Sequence, residues 1–420
     1  MQSVRHRGSL IAGSFFAVAM LLASLAPFGS LLTSASASNW LLALGAMASL
    51  LAVFDWPAQW RRLDRVNAQA LLSATFPAWL LTSLLVYILR IGQSSTTYLQ
   101  IYQVVSSVMA LASLLAAGLR RPSGKDISSA APTRSGWRDY LMLTKPVVVL
   151  LLLVTTLSAM IIAAGSMPPL TTLLWTAIGG ALSAGGASAL NQFIDRERDA
   201  QMSRTQKRPL PGGRMNGARA VAFGLLLCIA GFNILALFVN LLSALMAWVG
   251  MIYYVLLYSI ILKPTTAQNI VVGGGAGAIP PLVGWAAATN TLSMPAFFLF
   301  ALIFFWTPPH FWALALLKNR DYERAGVPMF PVVYGERETR IHILLYAIQL
   351  VALTLLLPLA TLGHGLYLAS AVALGLGFLL HAWQLWKHGT NKLAWKMYRY
   401  SSTYLALIFA ALVVDTLLSL

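Results

Sequence analysis

The sequence consists mainly of apolar runs that are each long enough to cross a lipid bilayer, separated by short polar segments. A spanning helix needs about 20 predominantly apolar residues, because the hydrocarbon core of a membrane is about 30 Å thick. Charged residues make up only 10% of the chain, which excludes a water-soluble globule. The pattern predicts an all-α, polytopic transmembrane protein with thirteen helices, at about 9–32, 38–54, 69–89, 98–119, 146–164, 170–190, 219–239, 241–262, 270–288, 295–317, 341–360, 365–385 and 402–420.

A polar stretch rich in Ser, Pro and Arg, residues 120–145, separates the first four runs from the other nine. Such a composition is typical of a linker. We therefore expect an N-terminal four-helix membrane segment over 1–119, a cytoplasmic linker over 120–137 and a nine-helix domain over 138–420. The single cysteine, Cys228, excludes an internal disulfide framework and a cysteine-built metal site.

The first apolar run has two interpretations. Arg5 and Arg7 precede it and the small residues of 35–37 follow it, as in a secretory signal peptide with its cleavage site. The run is longer than the core of a signal peptide, which favours an uncleaved helix.

The basic residues predict the orientation of the chain. When the N-terminus is placed in the cytoplasm and every helix changes sides, 28 of the 29 Lys and Arg residues lie in or beside the inner loops, and Arg90 is the exception. Cytoplasmic loops of membrane proteins carry such an excess of Lys and Arg. The net charge of +17 therefore indicates a multi-pass membrane protein with its basic residues on one side rather than a nucleic-acid-binding protein.

Acidic residues are scarce, and seven of the twelve lie in two of the predicted cytoplasmic loops. Acidic groups beside the hydrocarbon boundary are costly unless they are paired or coordinated, so they are functional candidates. The alternative is that they only neutralise neighbouring arginines. The first cluster comprises Asp195, Glu197 and Asp199, and the second comprises Asp321, Glu323, Glu336 and Glu338.

The first cluster has the spacing of a metal site on a helix. Asn191, Asp195 and Asp199 are four residues apart and form one helical stripe, on which the two carboxylates repel each other. Mg²⁺ would relieve this repulsion, since it binds one or two carboxylates together with phosphate oxygens. Basic side chains that suit phosphate follow at once, at Arg204, Lys207, Arg208 and Arg214. The loop predicts a magnesium-bridged diphosphate.

Two further predicted loops emerge on the same side of the membrane. Lys263 begins one of them, and the glycine run 273–277 follows it, which suits close helix packing or a close approach of a ligand. Pro308 and Pro309 are expected to break or kink the helix that leads into the other loop. His310 beside them would either bind a ligand or form a hydrogen bond to a neighbouring helix.

A site that opens to the cytoplasm for a charged head group and to the lipid for an apolar tail suits the displacement of diphosphate from an allylic lipid. The metal and the basic residues would stabilise the leaving group. Aromatic faces would stabilise an allylic cation, and the candidates are Tyr253, Tyr254, Trp306 and Phe311.

Several separated blocks over about 138–420 resemble the UbiA superfamily of membrane prenyltransferases, and within it the protoheme IX farnesyltransferases (heme O synthases). The blocks are Leu143–Pro146, the N-x3-D-x3-D motif at Asn191, Met202–Thr205 with Arg208–Pro211, Asn269–Gly274 with Ala278–Trp285, Trp306–Leu314, and Lys318–Met329. Two departures are present. A second D-x3-D motif of the superfamily is not complete at Asp321, and Pro264 stands where a basic residue often follows Lys263.

The resemblance implies nine helices around a central cavity, in which farnesyl diphosphate and heme B are joined at a heme vinyl group to give heme O. It implies Mg²⁺ as the cofactor, with heme B as a substrate. Asp195, Asp199 and Asp321 would be catalytic, and together with Asn191 they would bind the metal. The expected substrate-binding residues are Asn191, Arg204, Lys207, Arg208, Lys263, His310, Lys318 and Tyr322.

The segment 1–119 lies outside this resemblance. Residues 1–135 contain His6 as their only histidine, so a degenerate half of a heme A synthase there would lack heme ligands, and we expect an accessory domain that contacts a partner such as heme A synthase. Two alternatives remain open for the whole chain. One is a prenyltransferase that acts on a quinone precursor or another tetrapyrrole, and the other is a lipid or heme transporter. Ionisable residues cluster on one face, with Asp415 as the main deep exception, which favours an enzyme.

Overall fold

The computed structural model describes residues 135–360 and 362–419, which contain almost all of the predicted nine-helix domain. Within these residues the regular secondary structure is entirely helical. The prediction of an all-α fold is confirmed there. The four N-terminal helices, the alternative cleavage site and most of the linker lie outside the described residues.

Nine helical segments of the described part are long and apolar enough to cross a membrane, and each coincides with one predicted run. Their composition is the reason, since a bilayer requires long apolar helices whose backbone groups are satisfied internally. The segments are Pro146–Ala164, Leu170–Gln201, Gly217–Phe238, Leu241–Thr265, Asn269–Thr289, Met294–Leu317, Phe330–Ala360, Gly365–His388 and Asn391–Leu418.

Six α-helices and a π-helix form the first part of the described chain, up to residue 265. They are α1 (Trp137–Thr144), α2 (Pro146–Ala164), α3 (Leu170–Gln201), α4 (Gly217–Phe238) and α5 (Leu241–Ile252), which continues as a π-helix (Tyr253–Leu262) and a single turn, α6 (Lys263–Thr265).

The fifth span is divided into three short helices, and four long helices and one short helix follow it. They are α7 (Asn269–Gly273), α8 (Gly275–Ala278) and α9 (Pro280–Thr289), then α10 (Met294–Leu317), α11 (Asn319–Arg324), α12 (Phe330–Leu356) with a 3₁₀ turn (Leu357–Ala360), α13 (Gly365–His388) and α14 (Asn391–Leu418).

Several helices extend past the apolar runs that predict them. Helix α3 ends at Gln201 instead of residue 190, α12 begins at Phe330 instead of 341, and α14 begins at Asn391 instead of 402. Hydropathy detects only the part of a helix that lies in the bilayer, whereas polar turns continue the same helix outside it. The acids of the first cluster therefore stand on a rigid helix end and not in a loop.

A helix break occurs at a position that was not predicted, and the predicted break is absent. Gly335 interrupts α12 with a φ of 83°, a conformation that glycine adopts without strain. Helix α10 continues through Pro308 and Pro309, so the predicted break does not occur. Prolines are tolerated in membrane helices because neighbouring groups satisfy the freed carbonyls.

Asp415, the deep exception of the sequence, caps a neighbouring helix. Its carboxylate accepts hydrogen bonds from the backbone N–H groups of His364 and Tyr367, the latter at 3.1 Å, at the beginning of α13. The first N–H groups of a helix have no partner within the helix. Asp415 therefore has a structural partner and gives no support to a transport path.

Candidate active site

Three candidate metal-binding residues share one face near the end of α3. Asn191, Asp195 and Asp199 are only 3%, 1% and 3% exposed. The four-residue spacing places them on successive turns of the same helix, as the sequence predicted. Buried carboxylates require counter-charges or a metal. Side chains from the neighbouring segments provide those charges.

One oxygen of Asp195 is fully satisfied and the other is not. Lys263 donates to Oδ2 at 2.6 Å, and the amide of Asn191 donates to the same oxygen at 2.8 Å. Oδ1 is buried without a hydrogen-bond partner, and Arg198, the only cation paired with it in the described structure, is 3.9 Å away. A buried carboxylate oxygen without a partner is a vacant acceptor for a cation.

Asp199 holds the basic loop that follows α3 and carries Arg204, Lys207 and Arg208. Arg208 donates to its Oδ2 at 2.6 Å, so the guanidinium lies beside the aspartate stripe. The hydroxyl of Thr205 donates to the Asp199 backbone carbonyl at 2.8 Å and ends the helix. These two bonds fold the basic loop back over the end of α3.

The π-helix provides the opposite wall of this site. The Asn191 amide donates to the hydroxyl of Ser259 at 2.9 Å, and that hydroxyl donates to the carbonyl of Tyr254 at 2.7 Å. π-Helical turns occur frequently at functional sites, because the wider turn reorients side chains. Here the π-helix directs Ser259 towards the aspartate stripe and ends directly before Lys263.

Lys145 is a site residue that the sequence analysis did not select. Its ammonium group donates to Asn191 Oδ1 at 3.0 Å and to the Tyr254 hydroxyl at 3.4 Å. Burial, and after it the positive charges of Arg208 and Lys263, lower the pKa of Lys145 to about 7. The sequence feature that could have identified Lys145 is the Leu143–Pro146 block, in which this lysine directly follows α1.

The backbone around Lys145 is held by α3. The residue has a φ of 50° directly before Pro146, an uncommon conformation for a side chain other than glycine. Ser188 donates to the Leu143 carbonyl at 2.8 Å, and Gln192 donates to the carbonyls of Met142 and Leu143 at 3.0 Å each. The face of α3 that presents the aspartates therefore also fixes the turn that presents Lys145.

The second acidic loop contacts the first through Asp321. Ser203 donates to Asp321 at 2.7 Å, and Arg324 forms an ion pair with it. The Ser203 hydrogen bond, and then the Arg324 guanidinium, hold the pKa of Asp321 below its usual range. Among the described residues, no three His, Cys, Asp or Glu side chains form a ready metal-binding group. Asp321 thus lies beside the loop that carries Arg204, with a basic partner of its own.

The other predicted residues divide into three sets. Arg204, Lys207 and Lys318 are exposed and have no ion-pair partner among the described residues, so they are available for an anionic ligand. Tyr322 is buried next to the same loop. Glu197, Glu336 and Glu338 are exposed, and the first of them pairs with Arg196 on the outer face of α3.

The glycine run packs against the tyrosines of the π-helix. A β-carbon at Gly273 would overlap the Tyr258 ring, and one at Gly275 would lie 2.7 Å from the Tyr253 hydroxyl. Tyr254 and Tyr258 are stacked with their centroids 5.7 Å apart. Phe311 is 38% exposed. The packing interpretation of the run is therefore the one that the structure shows. The tyrosines at the site wall are Tyr254, which contacts Lys145, and Tyr258, which stacks on Tyr254.

His310 forms the hydrogen bond to a neighbouring helix that is one of its two predicted roles, and ligand binding by His310 stays a prediction. Its Nδ1 lies 2.7 Å from the hydroxyl of Ser401 on α14, so it is hydrogen-bonded to a neighbouring helix. Its ring stacks on Trp306 in the same helix.

The oxygen-rich composition of the aspartate stripe suits a hard divalent cation. Asp195 and Asp199 provide carboxylate oxygens, and the unpartnered Oδ1 of Asp195 is one acceptor that no side chain satisfies. Asn191 directs its oxygen towards Lys145, so in this arrangement it orients Asp195 through its amide nitrogen. Mg²⁺ bound by one or two carboxylates usually completes its shell with phosphate oxygens and water.

The sequence model of the UbiA prenyltransferase family matches residues 152–409. This match includes α3 with its aspartate stripe, the π-helix and the second acidic loop. The chain belongs to the UbiA prenyltransferase family. The chain is a multi-pass membrane protein, because it belongs to this family and its described part has nine helices that are long and apolar enough to cross a membrane.

Curated relatives within the family carry one name, protoheme IX farnesyltransferase. The protein from Roseiflexus sp. is 45% identical over 73% of this chain and 57% of its own length. The protein from Chloroflexus aurantiacus is 43% identical over 98% of this chain and 71% of its own length. The protein from Alkalilimnicola ehrlichii is 48% identical over 66% of this chain and 92% of its own length. The chain thus spans little more than half the length of the Roseiflexus relative.

Solved structures share the fold at low sequence identity. A digeranylgeranylglyceryl phosphate synthase superposes with a TM-score of 0.57 at 18% identity, over 66% of this chain and 98% of its own. A UbiA homolog from Archaeoglobus fulgidus, bound to GPP and Mg²⁺, superposes with a TM-score of 0.51 at 16% identity, over 65% of this chain and 99% of its own. Both confirm a UbiA-type helical bundle for the described domain.

Proposed function

We propose that this chain transfers the farnesyl group of farnesyl diphosphate to a vinyl group of heme B and so forms heme O. The observation that carries the prenyl transfer is the aspartate stripe of α3, where two buried carboxylates stand among Lys145, Arg208 and Lys263. The acceptor follows from the relatives, which are named protoheme IX farnesyltransferase at 43–48% identity.

Asp195 and Asp199 would hold Mg²⁺, and the carboxylate of Asp321 would bind Mg²⁺ from the second loop. When bound there, Mg²⁺ would neutralise charge on the departing diphosphate. Lys145, Arg208 and Lys263 already surround the carboxylates in the structure, so they require little reorganisation to stabilise the same leaving group. The exposed Arg204, Lys207 and Lys318 would admit the diphosphate from solvent.

In the proposed reaction, the bond between C1 of the farnesyl group and the diphosphate oxygen breaks, and the electron pair leaves with the diphosphate. The terminal carbon of the heme vinyl group bonds to C1, and the inner vinyl carbon becomes positively charged. A water molecule adds to that carbon and releases one proton. Stacked Tyr254 and Tyr258 lie next to the aspartate stripe, where their ring faces would stabilise the allylic cation.

We further propose that the aspartate stripe and the basic loops face the cytoplasm of a bacterium, in a thirteen-helix topology across the inner membrane. The distribution of Lys and Arg supports this orientation. The A. ehrlichii relative supports a separate nine-helix domain over 138–420, because 92% of its length corresponds to 66% of this chain. The role of 1–119 as a surface for a partner such as heme A synthase is also a proposal.

The test is a product analysis with membranes that contain the full chain, supplied with Mg²⁺, farnesyl diphosphate and heme B. We expect a heme whose mass has increased by one farnesyl and one hydroxyl group. The double variant Asp195→Ala with Asp199→Ala should lose this product. Glu197→Gln, which alters an exposed carboxylate on the outer face of the same helix, should retain it.

Other results would contradict the proposal in different ways. Unimpaired conversion by the double variant would refute the assigned site. A farnesylated quinone precursor, with heme B unchanged, would show a different acceptor. Uptake of labelled substrate into proteoliposomes without any covalent product would show a transporter.

A further inference from the structure

His310 is a buried imidazole in the interior of the helical bundle, and its ring is enclosed on both faces. It is 8% exposed. Trp306, one turn earlier on α10, stacks at 4.2 Å between ring centroids, and Tyr398 of α14 stacks at 4.6 Å. The Trp306 indole donates to the Ser401 carbonyl at 2.7 Å, which locks this stack to α14. Only the edge of the imidazole remains for chemistry.

The hydrogen bonds of Ser401 suit one tautomer of His310. The Ser401 hydroxyl lies 2.8 Å from the carbonyl of Tyr398, to which it can donate its single hydrogen. The Ser401 oxygen then accepts a hydrogen bond from His310 Nδ1, which is 2.7 Å away. In this tautomer Nδ1 carries the proton, and Nε2 of the neutral ring has a free lone pair.

Among the described residues, the hydrogen bond of the His310 ring is the one at Nδ1. Nε2 is not one of the fully enclosed polar atoms without a partner, so its lone pair is open to a ligand. A neutral imidazole whose Nδ1–H is held by a hydrogen bond is the usual form of a histidine that binds a metal through Nε2. Trp306, Tyr398 and Ser401 thus fix the His310 ring in an orientation suited to metal binding through Nε2.

A packed path joins α10 to the diphosphate site. A β-carbon at Gly274 would lie 2.8 Å from the methyl carbon of Thr307, three residues before His310. The adjacent Gly273 packs on Tyr258, and Tyr258 stacks on Tyr254, whose hydroxyl contacts Lys145. The helix that carries His310 is therefore a direct neighbour of the wall that faces the leaving group.

We propose that Nε2 of His310 is the axial ligand to the iron of the acceptor heme. This inference rests on the proposed function, because it requires an iron porphyrin as substrate. Proximal histidines bind heme iron in this way, and the bond would fix the porphyrin with one edge towards the allylic donor. Ser401 is then a positioning residue that fixes the tautomer and the ring orientation.

The test is the spectrum of heme B bound to the purified full chain in nanodiscs, without farnesyl diphosphate. We expect a histidine-ligated absorption and electron paramagnetic resonance spectrum for the wild type. His310→Gly should lose it, and added imidazole should restore it in the vacated space. His310→Met should give a thioether-ligated spectrum. Ser401→Ala should retain histidine ligation but bind heme about 10-fold more weakly.

His381 provides the matched control. It also stacks on a tyrosine, Tyr400, at 4.4 Å, and its Nδ1 donates to the Gly377 carbonyl at 2.7 Å. His381→Ala should leave the heme spectrum unchanged. A spectrum that depends on His381 and not on His310 would overturn the inference. Farnesyl diphosphate binding by each variant shows whether it is folded.

The two proposals fail in distinguishable ways. If the wild type farnesylates heme B and both His310 variants keep the wild-type spectrum, the axial ligand is wrong and the activity stands. If the spectrum depends on His310 but the wild type forms no farnesylated heme, the ligand stands and the activity is wrong. A loss of spectrum in His310→Gly that imidazole does not restore, with no thioether spectrum in His310→Met, would also contradict ligation.

Discussion

Lys263 and Asp195 form an ion pair in the interior of the site, with 2.6 Å between Nζ and Oδ2. Lys263 comes directly after the π-helix, and Asp195 stands on the last turns of α3. Because Asn191 also donates to Oδ2, the remaining lone pairs of the carboxylate are on Oδ1. A cation can therefore bind Asp195 without displacing Lys263.

The first prediction concerns stability in the absence of metal. Lys263→Met should lower the free energy of unfolding by about 3 kcal/mol without Mg²⁺, because it leaves a buried carboxylate without its charge partner. Added Mg²⁺ should restore part of this loss by binding the same carboxylate. Thermal unfolding in detergent, with and without Mg²⁺, measures both effects.

The control for this variant is Lys392→Met, which removes an exposed lysine at the beginning of α14 and should change neither measurement. Equal stability of Lys263→Met and the wild type in the absence of metal would contradict the ion pair. A deficit that Mg²⁺ leaves unaltered would contradict metal binding at Asp195.

The second prediction concerns the charge of Asp199. Asp199→Asn should lower the rate of prenyl transfer by about 100- to 1000-fold, because it removes a metal-facing carboxylate and the anchor of Arg208 together. Steady-state rates of product formation at saturating Mg²⁺ provide the measurement. Glu197→Gln on the same helix should stay within about twofold of the wild type, since an exposed ion pair contributes little. Equal losses in both variants would indicate a general effect of charge on α3.

The nine spans and their order were predictable, because bilayer thickness fixes the length of every crossing helix. The helix ends were not, since a polar helix outside the bilayer has no signature in hydropathy. Helix α10 runs through Pro308 and Pro309 without the break that was one of their two predicted effects. Sequence rules assign a cost to each proline, whereas the fold decides whether neighbouring groups offset it.

The residues of the candidate site were also predictable only in part. The stripe of Asn191, Asp195 and Asp199 was predictable because helical periodicity alone places them together. Lys145 and Ser259 were not, since they reach Asn191 from positions 46 and 68 residues away in the chain. Contacts of this kind depend on which helices are neighbours, and a single sequence does not specify that.

The third prediction concerns the contact between α2 and α9. A β-carbon at Gly284 would overlap the backbone carbonyl oxygen of Thr156, and backbone cannot rotate away as a side chain does. Gly284→Ala should therefore lower the free energy of unfolding by about 3 kcal/mol, through strain and separation of the two helices. Thermal unfolding and the yield of folded protein measure this effect.

Gly277→Ala is the matched control, because a β-carbon at Gly277 has open space around it. We expect it to be as stable as the wild type or slightly more so, since alanine favours a helix by about 1 kcal/mol over glycine. If both alanine variants were equally stable, the close approach of α9 to α2 would be wrong.

The last prediction concerns the bridge between the two acidic loops. Ser203→Ala removes the hydroxyl that donates to Asp321 at 2.7 Å and joins the loop after α3 to α11. Loss of one hydrogen bond to a charged group costs about 1.5 kcal/mol, so the KM for farnesyl diphosphate should rise about 10-fold while kcat changes little. Asp321→Asn should lower kcat as well, because it removes a carboxylate that would bind Mg²⁺ at the departing diphosphate. Glu338→Gln, an exposed acid of the second cluster on α12, serves as the control and should leave both constants unchanged. A wild-type KM in Ser203→Ala would show that the two loops act independently, and a wild-type kcat in Asp321→Asn would remove Asp321 from the catalytic set.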